Sequence, residues 1–166
     1  NAIAEAVEKE FPDAVIETLA YQYTRKPPKK TRLRHNVMPC LCTSGVDFSV
    51  PVRESRHEGT KKFLEDINGW GAQTKHLYIW DYTTNFAYYI PTYANLHVLQ
   101  ANMQFFAEHN AKGMFPQGNR NGPSGEFGEL RAYLLAKLMW NPYMSEEEYS
   151  RHMNEFLKAY YGDGWV

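Results

Sequence analysis

The stretch His76–Asn85, HLYIWDYTTN, constrains this chain more than any other. Leu77, Tyr78, Ile79, Trp80 and Tyr82 form an almost unbroken apolar and aromatic run. That is the pattern of a strand covered on both faces, as in a parallel sheet. Asp81 stands inside the run, and the polar turn Thr83-Thr84-Asn85 follows it. In a β/α fold the loops at the C-terminal ends of strands carry the chemistry. Asp81 is therefore a candidate functional carboxylate. The plainer reading is a turn residue bonding backbone amides, a common use of Asp.

The rest of the chain can be placed around this strand. Asn1–Phe11 sets Ile3, Val7 and Phe11 on one helical face, and Pro12 stops it. Ala14–Tyr23 and Val37–Cys42 read as strands, joined by a basic segment, Thr24–Asn36, in which Pro27-Pro28 forbids a helix. That basic run is either an anion contact or a solvated loop. A polar loop, Thr43–Arg56, leads to a helix over His57–Ile67 that Gly69-Trp70-Gly71 should break. After the central strand come an aromatic loop, a helix over Leu96–His109 and a short strand, Lys112–Gln117. Ser124–Trp140 has the clearest helical stripe, Phe127, Leu130, Leu134 and Leu138. A last helix begins at Ser145, with Ser145 and Glu148 as a capping box. Four strands alternating with helices predict an α/β fold with a parallel sheet. An antiparallel pairing of the first two strands across the non-helical link is the competing arrangement.

At 166 residues the chain is one domain's length, 1–166, and can bury a real core. Eighteen basic against nineteen acidic residues, a net charge of −1, argue against a general nucleic-acid binder. No apolar run approaches the roughly 20 residues a membrane helix needs. Cys40 and Cys42 share one strand face with Met38 and are expected to be buried and reduced; no metal site is expected, since further ligands at zinc-type spacing are missing. The segment GNRNGPSG is glycine-rich but matches neither phosphate-binding loop, and no cofactor is expected. The chain opens at Asn1, inside what reads as a helix, and is expected to be a processed or excised piece.

If the strands are parallel, the loops after them gather at one rim. They bring Tyr21, Tyr23 and Arg25 from the first, Asp47 from the second, and Trp80, Asp81, Tyr82 and Asn85 from the third. The fourth brings Gln117, Asn119, Arg120 and Glu126. Carboxylates beside aromatic platforms suit glycoside hydrolysis, which uses two carboxylates at a set separation. Asp81 and Glu126 are the candidate catalytic pair and the others candidate substrate contacts. Each has an ordinary reading too. Glu126 near a helix start offsets the helix dipole, Asp47 serves a turn, and Trp80 fills core.

Three segments carry a resemblance: LAYQYTRKPPK (Leu19–Lys29), LYIWDYTTNF (Leu77–Phe86) and GEFGELRAYLLAKLMWNP (Gly125–Pro142). They resemble a bacterial family known as a domain of unknown function, DUF4838, grouped with glycoside-hydrolase-type (β/α) barrels. The resemblance implies the C-terminal half of a TIM-type barrel, four mostly parallel strands with flanking helices. It implies a carbohydrate-active, glycoside-hydrolase-like domain acting on or binding a glycan, with a non-catalytic glycan-binding or scaffold module as the alternative. It also implies a partner for the open half: the N-terminal half of the same barrel or a second copy of the chain. An acidic residue is common in the family just before the Gln-Gly pair, and this chain has Pro116 there.

Overall fold

The computed structural model describes residues 1–119, 121–122 and 125–165. The elements are α1 (Ala2–Glu8), β1 (Ile16–Ala20), β2 (Val37–Cys42), α2 (Glu58–Gly71), β3 (Leu77–Tyr82), α3 (Leu99–Glu108), β4 (Ala111–Gln117), α4 (Gly128–Trp140) and α5 (Glu146–Tyr161). The four strands form one sheet in the order β1-β2-β3-β4, every neighbouring pair parallel. The antiparallel alternative for β1 and β2 is ruled out: Ile16 to Ala20 run alongside Val37 to Leu41 in the same direction. A parallel sheet flanked by helices, with β1 and β4 at its edges, is the architecture of half a (β/α) barrel.

Strand alternation divides the sheet into two faces. Leu41 of β2 and Leu77 and Ile79 of β3 are fully buried. They pack with Phe63 and Ile67 of α2, Phe106 of α3 and Leu134 and Leu138 of α4 into a single core. The opposite face, which would be the inside of a barrel, carries register rows: Leu19, Cys40 and Tyr78, then Cys42, Trp80 and Phe115, then Tyr82 and Gln117. Its outer members stay open, Leu19 at 51% exposure and Phe115 at 45%. Cys40 and Cys42 are free and buried on this face. Burial pushes the Cys40 thiol up to about 12, so it stays protonated.

The β1–β2 link lies across α2 in place of a crossover helix. Arg25 forms an ion pair with Asp66 (2.7 Å) and donates to the Ser44 carbonyl. Trp70 Nε1 donates to the Arg25 carbonyl (2.7 Å), and Gln73 to that of Pro28. Of the other basic residues in the link, Arg34 pairs with Glu8 of α1. Two arginines of the basic run are thus held by acids of the same chain, and the lysines are exposed.

The first helix ends at Glu8, short of the expected Phe11, which is exposed, and two further helix boundaries differ from the sequence expectation. α2 continues through Gly69-Trp70-Gly71 because the link packs onto that turn: a Cβ on Gly69 would lie 2.6 Å from Pro27 Cγ. Alanine in place of a mid-helix glycine ordinarily gains about 0.5–1 kcal/mol. Gly69→Ala should instead lose about 1–3 kcal/mol through overpacking against a rigid ring. Chemical denaturation reads this directly, and a gain in stability would mean that the link does not seat on the helix.

The second difference is α4. It begins at Gly128, not at Ser124, which lies outside the described residues. Phe127 adopts a left-handed backbone (φ 46°) and is exposed rather than part of the buried stripe. Glu126 therefore precedes the helix instead of occupying its first turn. The amide of Glu126 donates to the Tyr89 carbonyl (2.8 Å), a tertiary bond that holds the segment off the helix axis. In α5, Ser145 caps the helix by accepting from the Glu148 amide (3.1 Å). Tyr149 is buried in that helix and bonds the Leu96 carbonyl, whereas Tyr160 is exposed.

Candidate functional site

At the C-terminal ends of the strands a cleft of about 510 Å³ opens between three loops. Its aromatic walls are Tyr21 after β1, Phe48 after β2, and Tyr82, Phe86 and Tyr93 from the end of β3 and its loop. The Tyr82 and Phe86 rings meet edge to face at 5.8 Å. Its polar groups are Thr43, Ser44, Thr84, Asn85 and Gln117. No described residue lining it carries a charge.

The cleft's floor is built by bonds that extend the ladder past the strand ends. The Thr43 amide donates to the Trp80 carbonyl and the Thr83 amide to that of Gln117, both at 3.0 Å. Trp80 stands edge-on to Phe115 (4.9 Å), and its Nε1 donates to Gln117 Oε1 (2.8 Å). On the β2–α2 side, Gly59 lets the first turn of α2 approach the Gly45 carbonyl, where a Cβ would come within 2.0 Å.

The acidic candidates stand elsewhere. Asp81 shares its face with Leu77 and Ile79, the helix-packed side of the sheet, and is only 6% exposed. It accepts from Thr43 Oγ1 (2.7 Å), so Thr43 stands between it and the cleft. Burial raises the Asp81 carboxyl to about 6, opposed by the bonds from Thr43 and the Tyr82 amide. Asp47 accepts from the Ser49 amide and hydroxyl and from Ser55. The Ser49 bonds hold its carboxyl below the usual range.

Glu126 is paired with the buried Arg131 (2.8 Å). Arg131 also donates to Asn95 Oδ1 (2.8 Å) and to the carbonyls of Glu126 and Tyr93. Asn95 in turn donates to the Thr83 carbonyl. The Arg131 cluster therefore ties the β3–α3 and β4–α4 loops to the rim.

Of the residues singled out in the sequence, Tyr21, Tyr82, Asn85 and Gln117 line the cleft together, with Trp80 behind Gln117. Tyr23 is 93% exposed and is not among the lining residues. Arg25 is taken up by Asp66 and Ser44. Asn119 accepts from Thr84 and faces a neighbouring cavity of about 460 Å³ beside α4. Arg120 lies outside the described residues. The sequence reading missed Thr43-Ser44-Gly45 and Phe48 as cleft residues. The signal was there, because they directly follow a parallel strand as the other candidates do. Among the described residues no three His, Cys, Asp or Glu side chains gather as metal ligands.

The family model described as domain of unknown function (DUF4838) matches residues 1–164, and the chain belongs to that family. No curated protein and no solved structure gives a significant match.

Proposed function

We propose that this member of the DUF4838 family forms part of a carbohydrate-active, glycoside-hydrolase-like (β/α) barrel and binds a glycan in the cleft at the C-terminal rim of its strands. The supporting observation is the cleft itself. It combines aromatic walls with amide and hydroxyl groups, the mixture that receives a sugar ring through its apolar face and its hydroxyls. Within this proposal the sheet's open inner face and its edges, β1 and β4, receive the remaining strands of the barrel. These come from the N-terminal half of the same protein or from a second copy of the chain.

Binding is the part of the activity that these residues support best. A two-carboxylate hydrolysis needs both groups facing the sugar. Asp81 is shielded by Thr43, and Glu126 is held by Arg131. One observation favours hydrolysis instead: an Asp81 carboxyl near 6 has the proton affinity of a general acid. Titration calorimetry of the chain against neutral and acidic oligosaccharides tests the binding proposal. Tyr82→Ala should weaken the best ligand about tenfold, or about 1.4 kcal/mol, with the circular dichroism spectrum unchanged. Absence of binding to any oligosaccharide would sink the proposal. Turnover of a chromogenic glycoside that Asp81→Asn abolishes would restore the hydrolytic reading.

A further inference from the structure

We infer that the cleft selects an uncharged sugar, and that Trp80 acts as a positioning residue by aiming the Gln117 amide into it. The inference rests on the glycan reading and deepens it. The amide of Gln117 has only one workable orientation. Indole N–H is a donor and cannot accept, so the 2.8 Å contact requires Gln117 Oε1 to face Trp80. The Nε2 group is then left without an acceptor among the described residues, at a position on the cleft wall.

Asn85 repeats the arrangement. Its Oδ1 accepts from the amides of Ala87 (3.0 Å) and Tyr88 (3.2 Å), so its Nδ2 group likewise has no acceptor among the described residues. The cleft thus offers two oriented neutral donors from neighbouring elements, one in the loop after β3 and one at the end of β4. Sugar hydroxyl and ring oxygens can accept from both.

Charge decides the class of sugar. Recognition of a carboxylate relies on charge-assisted bonds, above all from arginine. Among the described residues no cation lines the cleft. Two arginines of the adjoining elements are already paired, Arg25 with Asp66 and Arg131 with Glu126. A uronate would lose hydration without gaining an ionic partner, which is costly. Asp81, behind Thr43, adds a negative charge near the cleft once it ionises.

The test uses the full chain, titrated with cellohexaose, mannohexaose and galactohexaose, each beside its form oxidised to the uronate at C6. The expected result is at least tenfold tighter binding of a neutral sugar than of its uronate. Trp80→Phe keeps an aromatic ring and deletes the donor. It should weaken the neutral ligand about fivefold, as Gln117→Ala should. The double variant should be no weaker than Gln117→Ala alone, because Trp80 acts through Gln117. Equal or tighter binding of a uronate would overturn the inference and leave the glycan reading standing. Full affinity in Trp80→Phe, or additive losses in the double variant, would overturn the positioning role. No binding by any neutral or oxidised sugar would overturn both readings.

Discussion

Arg131→Met is expected to cost roughly 3–5 kcal/mol of folding stability, the range for removing one partner of a buried ion pair. The Arg131 and Glu126 side chains are 4% and 12% exposed, so neither charge is well hydrated. Methionine fills most of the volume and leaves the Glu126 carboxylate and Asn95 Oδ1 without their donor. Loss of those bonds frees two loops that otherwise share one guanidinium. Urea denaturation of Arg131→Met and of Arg131→Met with Glu126→Gln separates the causes. The double variant removes the stranded charge and should recover part of the loss. A single-variant loss under about 1 kcal/mol would show that the pair does not organise the rim.

The pH dependence of stability should carry the signature of Asp81. Its folded carboxyl is held near 6, against an ordinary value of 3.8. Below 3.8 the group is protonated in both states and contributes nothing. Between 3.8 and 6 the folded state keeps a proton that the unfolded chain has lost, so stability falls as pH rises. Above 6 the full penalty applies, roughly 3 kcal/mol for a shift of about two units. Asp81→Asn cannot ionise, and relative to the natural chain it should gain about 2–3 kcal/mol between pH 4 and pH 7. A constant offset is expected beneath that change. The Asn carbonyl can keep the Thr43 bond, but its NH₂ group then meets the Tyr82 N–H, at about 1–3 kcal/mol. Denaturation of both proteins at several pH values compares the slopes, and parallel curves would show that Asp81 is not buried as a titrating acid. This slope also bears on the proposed function, since a carboxyl near 6 behind Thr43 changes the charge close to the cleft.

Much of the framework can be traced to local pattern. The bounds of β2 coincide with the sequence reading, Val37–Cys42, because Asn36 and Thr43 flank a compact apolar run. The strand at Leu77–Tyr82 follows from an apolar run too dense for a surface strand. Both signals depend on near neighbours along the chain, and periodicity reads such neighbours well. The cleft was legible in part for a related reason. Parallel strands must send their C-terminal loops to one rim, so Tyr21, Tyr82, Asn85 and Gln117 could be grouped from the sequence alone.

The role of each polar side chain at that rim was decided only by tertiary structure. Alternation places Asp81 with Leu77 and Ile79, but both faces of the run are apolar, so the sequence could not say which face the helices cover. Packing of Phe63, Ile67 and Phe106 made it the Asp81 face and left Trp80 and Tyr82 on the other. The partners that occupy Arg25 and Glu126 were equally hidden. Asp66 lies 41 residues from Arg25, and Arg131 lies five from Glu126, a spacing at which helical side chains do not meet. The same holds where propensity was overruled. Gly69-Trp70-Gly71 stayed helical because Pro27 and the Arg25 carbonyl came to rest on it. Local sequence determines which segments are strands and which end of them gathers the loops, since those depend on contacts a few residues apart. Which acids are buried, paired or left open to a ligand depends on groups brought together only when the layers close.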